Sequence, residues 1–398
     1  MNAPRANISF PTRYRLGWGR RSELAGELKI AGLARALVVT DAGVEATPWF
    51  APTLAADGGG LVGVFSALST NPTEDEVLAG LAMYRARDAD GVVAIGGGAA
   101  MDAAKAIALF AHLGAVVPGE LAELAYGGAR ARAVTGAVPI IALPTTAGTG
   151  SELSFGAVIK DSAHGAKRNL LHPALMPQAV IADPETTVGL PPGPTAATGL
   201  DALTHAIEAL CAPGYHPMCD AIALEAAAMV MSRLPQAVRV PDDAGARTDL
   251  LHASGMAAVA FQKGLGLTHA MAHPLGAELG VHHGLANAVL LPIVLEINGD
   301  AAGPACARLA QRLGLTGADP VLAVANAVRA LCREVGLPAT VPVAEVVDDA
   351  EPETLDVLAD RLAALALAET LFLATNPRKV AGDEIAAAYR RALGTHAG

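Results

Sequence analysis

Apolar residues fall into two regimes along the chain. Up to about residue 190 they come in short, nearly unbroken runs rich in Val and Ile; beyond it they recur at helical spacing in long Ala/Leu-rich stretches. In the first regime 36–40, 61–65, 91–95, 139–143 and 179–183 read as buried strands, because such runs suit a sheet covered on both faces. Between them 75–87 and 102–112 have helical spacing, and Thr73 with Glu76 three residues on predicts a capped helix start. This alternation predicts a parallel sheet with helices on both faces. In the second regime the pattern predicts helices over 195–211, 217–234, 244–260, 266–279, 284–297, 301–313, 320–335 and 382–393. The stretch 343–356 is acidic and polar and reads as a surface turn and helix start. Pro191-Pro192-Gly193-Pro194 stands where the character changes. It marks the boundary between an α/β domain over 1–190 and an all-α domain over 191–398, a division that suits this length. No internal repeat is visible.

Composition narrows the partners. The net charge is −11, and the 28 basic residues are scattered in short groups such as Arg130/Arg132, Lys167-Arg168 and Arg390-Arg391. No basic stripe exists to neutralise phosphates, so nucleic acid is not an expected partner. The chain is 52% hydrophobic but only 4% aromatic, so its core must rest on Ala, Leu and Val. No uninterrupted apolar run reaches membrane-spanning length, and the N-terminal stretch has basic residues without a signal peptide's apolar segment. Cys211, Cys219, Cys306 and Cys332 form no CxxC pair and read as reduced thiols of a cytosolic protein.

The chemistry gathers in two places. Among the 11 histidines, His269, His273 and His283 are close neighbours, and His205 stands four residues after Asp201. Positions i and i+4 share a helix face, so each such pair can aim at one atom, and a carboxylate with several imidazoles suits a divalent first-row metal. Spacing leaves open which of these residues would be ligands, and His282 competes with His283. The second place is Gly96-Gly97-Gly98, where a buried strand meets a helix. Glycine there lets backbone N–H groups approach an anionic ligand at a helix start, and a pyrophosphate is the natural occupant. The loop departs from the usual dinucleotide fingerprint, with Met101 where the last glycine would stand. Thr145, Thr146 and Thr149 end the next strand, and Asp41 ends an earlier one, where a carboxylate could accept from a ribose diol and would repel a 2′-phosphate. NAD is therefore expected over NADP.

With both places in view, the chain resembles the iron-containing (group III) alcohol dehydrogenase family from about Pro11 to Leu393. The resemblance is carried by the runs 96–105, 144–152, 197–208 and 264–276, by His283-Gly-Leu-Ala-Asn287-Ala and by Asn376-Pro377-Arg378. It implies a metal held by Asp201, His205, His269 and His283, with His273 not a ligand but a proton relay near nicotinamide and substrate. It assigns Gly97, Gly98, Ala99, Asp102, Thr145, Thr146 and Thr149 to the cofactor side. Asp41 and Asn71 fall towards the adenosine ribose and Lys167 near the nicotinamide ribose. Two departures bear on this. Ala99 replaces the serine usual after the glycines, and Phe261-Gln-Lys-Gly264 is one residue shorter than the commoner form. Phe261 and Phe372 are assigned to the substrate pocket.

The resemblance implies hydride transfer between nicotinamide C4 and a small primary alcohol, a diol or the matching aldehyde, in a cleft between the two domains. Fe(II) is the expected metal, with Zn(II) or another divalent ion as alternatives. A short hydroxyacid such as 4-hydroxybutyrate is the other substrate class, because Lys160, Lys167 or Arg168 could meet a carboxylate. A dehydroquinate-synthase-like lyase is the rival chemistry. The family also implies a homo-oligomer, a dimer or larger.

Overall fold

The structure, a computed structural model, describes residues 10, 12–114, 118–163, 166–342 and 355–394. The chain divides into two compact units, Phe10–Val188 and Gly189–Gly398.

Among its described residues the first unit has eight strands: β1 Arg13–Leu16, β2 Ala36–Val39, β3 Leu61–Phe65, β4 Gly91–Gly96, β5 Ile140–Pro144, β6 Gly156–Lys160, β7 Lys167–Leu171 and β8 Ala179–Ala182. Its helices are α1 Leu24–Ala31, α2 Ala42–Glu45, α3 Phe50–Ala55, α4 Glu74–Ala86, α5 Gly98–Leu113 and α6 Leu121–Leu124. Six strands form one sheet in the order β1-β8-β5-β4-β2-β3, and every pairing in it is parallel. Strands β2, β4, β5 and β8 are buried along their whole length, which is why they read as unbroken apolar runs. Leu24, Leu28, Val38, Val93, Ile141 and Ile181 belong to one core under the sheet. Helix α4 starts with the expected capping box between Thr73 and Glu76.

The sequence pattern missed three strands. Strand β1 mixes arginine with apolar residues and pairs only with β8. Strands β6 and β7 form a separate antiparallel hairpin, and the β6 side chains alternate between buried and half-buried, the period of a sheet with one face covered.

The second unit is all-helical among its described residues: α7 Pro192–Cys211, α8 Pro217–Arg239, α9 Ala244–Ala260, α10 Leu267–Leu279, α11 His283–Asn298, α12 Gly303–Leu313, α13 Pro320–Glu334, α14 Leu355–Ala368, α15 Thr370–Leu373 and α16 Gly382–Leu393. Its core includes Leu267, Met271, Leu290, Leu362 and Tyr389. Pro192 and Pro194, expected in the boundary loop, instead lie in the first turn of α7. Proline is tolerated there because first-turn N–H groups have no intrahelical acceptor. The helix start read at the end of 343–356 corresponds to α14, which begins at Leu355; its extent to Ala368 was not read from the sequence, and residues 343–354 lie outside the described residues. The stretch His283–Ala301 is long and apolar enough to cross a membrane by composition, yet 67% of that window is buried within the protein, as in a core helix.

Candidate functional site

In the first unit, register brings three strand ends to one level. Val39 pairs with Ala94, and Gly96 pairs with Pro144, so Asp41, Gly96 and the threonine loop leave adjacent strands side by side. Gly97 is the N-cap of α5 and offers no side chain to its free N–H groups. A Cβ on Gly97 would lie 3.3 Å from the Thr146 side chain, and one on Gly98 2.8 Å from Thr149 Cγ2. Glycine is thus what lets the threonine loop close onto the helix start, leaving an N-terminus suited to a phosphate. Thr145 donates its N–H to Gly96 O at 3.0 Å, and Ala99 lies in the first turn of α5. Asp41 caps α2 by accepting from Val44 N at 3.0 Å with Oδ1, while its Oδ2 lies 3.5 Å from where a Gly96 Cβ would be.

Asp102 is engaged by the chain itself. Its oxygens accept from Ser151 Oγ at 2.7 Å and Val158 N at 2.9 Å, tying α5 to the segment after the threonine loop. Lys105, one turn on and buried, donates to Ser151 O, Ser151 Oγ and Gly156 O at 2.6, 2.8 and 2.7 Å. Burial pulls its ammonium down to about 8 against the opposing pull of Asp102 and Glu152. Burial also pushes the Glu152 carboxyl up to about 7, and its Oε1 has no hydrogen-bond partner. Asn71 sits in the turn before α4, where its carbonyl accepts from Ser69 Oγ at 2.9 Å. The hairpin docks beside it through Lys160 N to Pro72 O at 2.8 Å. Lys167 faces Lys160 across the hairpin and acts electrostatically on Asp102. Arg168 gives two nitrogens to Asp161, both at 3.2 Å.

In the second unit, α7 presents Asp201 and His205 one turn apart, α10 presents His269 and His273, and α11 opens with His283. Asp201, His205 and His269 are buried, and their nearest ligand atoms all lie within 4.8 Å of one another. Asp201 Oδ1 is 3.9 Å from His205 Nε2, 4.0 Å from His269 Nε2 and 3.6 Å from His283 Nε2. Ligands about 2.1 Å from a tetrahedral ion stand roughly 3.4 Å apart, so this cage is slightly open but of the right size. Gly284 makes the approach of His283 possible: a Cβ there would lie 2.1 Å from Ala197 O on α7.

The donor set fits a cation. His269 Nδ1 lies 2.6 Å from Glu208 Oε2, so Nδ1 donates to that carboxylate and Nε2 is left facing Asp201. A cation between Nε2 and the Asp201 carboxylate would satisfy both buried groups. Asn287 donates Nδ2 to Asp201 Oδ1 at 2.7 Å, which holds the carboxylate in place.

His273 stands outside the compact group of three. Its Nδ1 lies 3.3 Å from Glu369 Oε1, and its ring meets Phe372 edge-on with centroids 4.8 Å apart. Phe261 lies 5.2 Å from the His205 ring and Phe372 5.9 Å from that of His269, so both phenylalanines border the histidine cluster. His282 is the residue before α11. Sequence reading gave no role to Glu208, Asn287 or Glu369. Two of them had a signal: Glu208 continues the Asp201/His205 face at i+7, and Asn287 follows His283 at i+4.

Comparison with known proteins places both halves. The model described as iron-containing alcohol dehydrogenase matches residues 11–184, and that of the Fe-containing alcohol dehydrogenase family, C-terminal, matches residues 195–393. The chain is 39% identical to a 4-hydroxybutyrate dehydrogenase of Cupriavidus necator, over 98% of this chain and 99% of that one. Among solved structures it resembles a 1,3-propanediol oxidoreductase, with TM-score 0.87 and 30% identity over 98% of this chain and 100% of the other. It also resembles a sulfoacetaldehyde reductase from Bifidobacterium kashiwanohense in complex with NAD+, with TM-score 0.85 and 30% identity over 98% and 99% of the two chains.

Proposed function

Because the chain belongs to the iron-containing alcohol dehydrogenase family, we propose that it is a metal-dependent oxidoreductase that exchanges hydride between NAD(H) and a small primary alcohol, a diol or the matching aldehyde. The observation that most supports a metal-dependent reaction is the convergence of three imidazole nitrogens on one buried Asp201 oxygen. Asp201, His205, His269 and His283 would hold the ion, which supplies Lewis acidity to an alcohol or carbonyl oxygen. Fe(II) is the proposed metal; the same ligands accept Zn(II).

The remaining work falls to the chain. Gly97, Gly98, Ala99 and the threonines 145, 146 and 149 bind the pyrophosphate through backbone N–H groups and hydroxyls. Asp41, with one oxygen free of its cap, takes the adenosine ribose beside Asn71, and Lys167 lies towards the nicotinamide ribose. Asp102 acts as a brace for this loop. His273, with Nδ1 directed at Glu369, takes the proton that leaves the alcohol oxygen and returns it in the reverse reaction. Phe261 and Phe372 supply apolar walls. We place the enzyme in the cytosol as a dimer or larger homo-oligomer.

A short ω-hydroxyacid is the second substrate reading. It is favoured by the full-length relative named 4-hydroxybutyrate dehydrogenase. Arg168 is committed to Asp161, so Lys160 or Lys167 would be the carboxylate's partner.

The test is reduction of NAD by purified protein against short alcohols, diols and ω-hydroxyacids, repeated after chelation and after adding back Fe(II) or Zn(II). Accumulating NADH, lost on chelation and restored by one metal, is the expected result. No bulk NADH with any substrate would favour a lyase that uses NAD transiently.

A further inference from the structure

Glu208 joins the two features that make α10 a ligand-bearing helix. Its carboxylate is 6% exposed. Oε1 accepts from Thr268 N at 2.7 Å, and Oε2 accepts from Gly266 N at 3.1 Å and from His269 Nδ1 at 2.6 Å. Gly266 and Thr268 are at the start of α10, where backbone N–H groups have no intrahelical acceptor. All three partners are donors, so the site demands an atom pair that only accepts.

We propose that Glu208 is a positioning residue that fixes His269 in its Nδ1–H tautomer and aims its Nε2 into the cage of Asp201, His205 and His283. Glu208 reaches the metal only through His269. The effect is specific to a carboxylate. A glutamine at 208 has one accepting oxygen and one NH2 group. If the oxygen keeps the Thr268 N–H, the NH2 takes the place of Oε2, loses the Gly266 N–H bond and faces His269 Nδ1, which can accept from it only by giving up its proton. The proton then sits on Nε2, where it blocks the ligand atom. Asn376 offers the contrast. Its Oδ1 accepts from Leu267 N at 3.1 Å at the same helix start, and it is held by Asn298 through paired amide bonds of 3.2 and 2.8 Å. No bond between Asn376 and His269 joins these, so it caps the helix without steering the ring.

This inference rests on the metal reading above, and its test separates the two. The full-length apoprotein, labelled with 15N-histidine, is compared as wild type, Glu208→Gln, Glu208→Asp and Asn376→Ala. Ring nitrogen shifts report the His269 tautomer, and chelator competition reports Zn(II) and Co(II) affinity. Wild type should show Nδ1–H at His269. Glu208→Gln should move the proton to Nε2 and weaken metal binding about 10–100-fold, the usual cost of losing such a partner. Glu208→Asp should recover part of both, and Asn376→Ala should lower Tm with the tautomer unchanged. A Glu208→Gln protein that folds, keeps Nδ1–H and binds metal like wild type overturns the inference. So does a tautomer shift of the same kind in Asn376→Ala. A wild type that binds neither ion overturns the metal reading itself.

Discussion

At the scale of single residues, two buried groups lend themselves to direct tests. Glu152 is pushed up to about 7 by burial, against an ordinary 4.5, with one oxygen unpartnered. The folded chain therefore holds a proton that the unfolded chain releases between those values, so this group's stabilising contribution is present at low pH and is lost as pH rises through about 7. Glu152→Gln should gain stability relative to wild type between about pH 5 and pH 8, read as the difference in urea midpoints at the two pH values. Parallel midpoints would contradict this account of Glu152. His273 is half of a pair with Glu369 and lies outside the compact group of Asp201, His205 and His269. His273→Ala should lower kcat about 10²–10⁴-fold with metal content unchanged. Loss of the metal from that variant, measured by elemental analysis, would make His273 a ligand instead. Spacing could not separate these roles, since His269 and His273 share the i,i+4 relation that also joins Asp201 and His205. It also could not find Glu369, because nothing in local sequence links residue 369 to a helix ending at Leu279.

At the scale of elements, the cage depends on how closely α11 lies against α7. Only glycine fits at 284, since a Cβ would stand 2.1 Å from Ala197 O, a backbone atom that cannot rotate away. Gly284→Ala should cost about 1–3 kcal/mol of stability through overpacking. It should also weaken metal binding, because the adjacent His283 moves off Asp201. Thermal melts and chelator competition on the same sample check both, and an unchanged metal affinity would show that α11 can shift without carrying His283 along. The elements best foreseen were those whose signal is local. The β2, β4, β5 and β8 runs are apolar throughout, and the Thr73/Glu76 box is complete within four residues. The β6–β7 hairpin was not foreseen, because Lys160, Lys167 and Arg168 make its strands look like solvent-facing loop. Strand β1 was missed for a related reason: Arg13 and Arg15 pair with the buried Glu27, a partnership invisible in four residues.

At the scale of the molecule, the change in apolar period near residue 190 separates a parallel-sheet unit from a helical unit, and the chain passes from one to the other at Val188/Gly189. What the period could not supply was the order of strands. The first strand lies beside the last, with Arg13 opposite Ala179 and Leu16 opposite Ala182. That pairing sets a timetable for synthesis. As the chain leaves the ribosome, β1 emerges first but has no neighbour until β8 follows, so the sheet is finished only when the first unit is nearly complete. Asp201 and His205 come next, and the proposed metal cage stays one side short until His283 emerges. The newborn chain can thus assemble the loop proposed for the dinucleotide well before it completes the cage proposed for an ion.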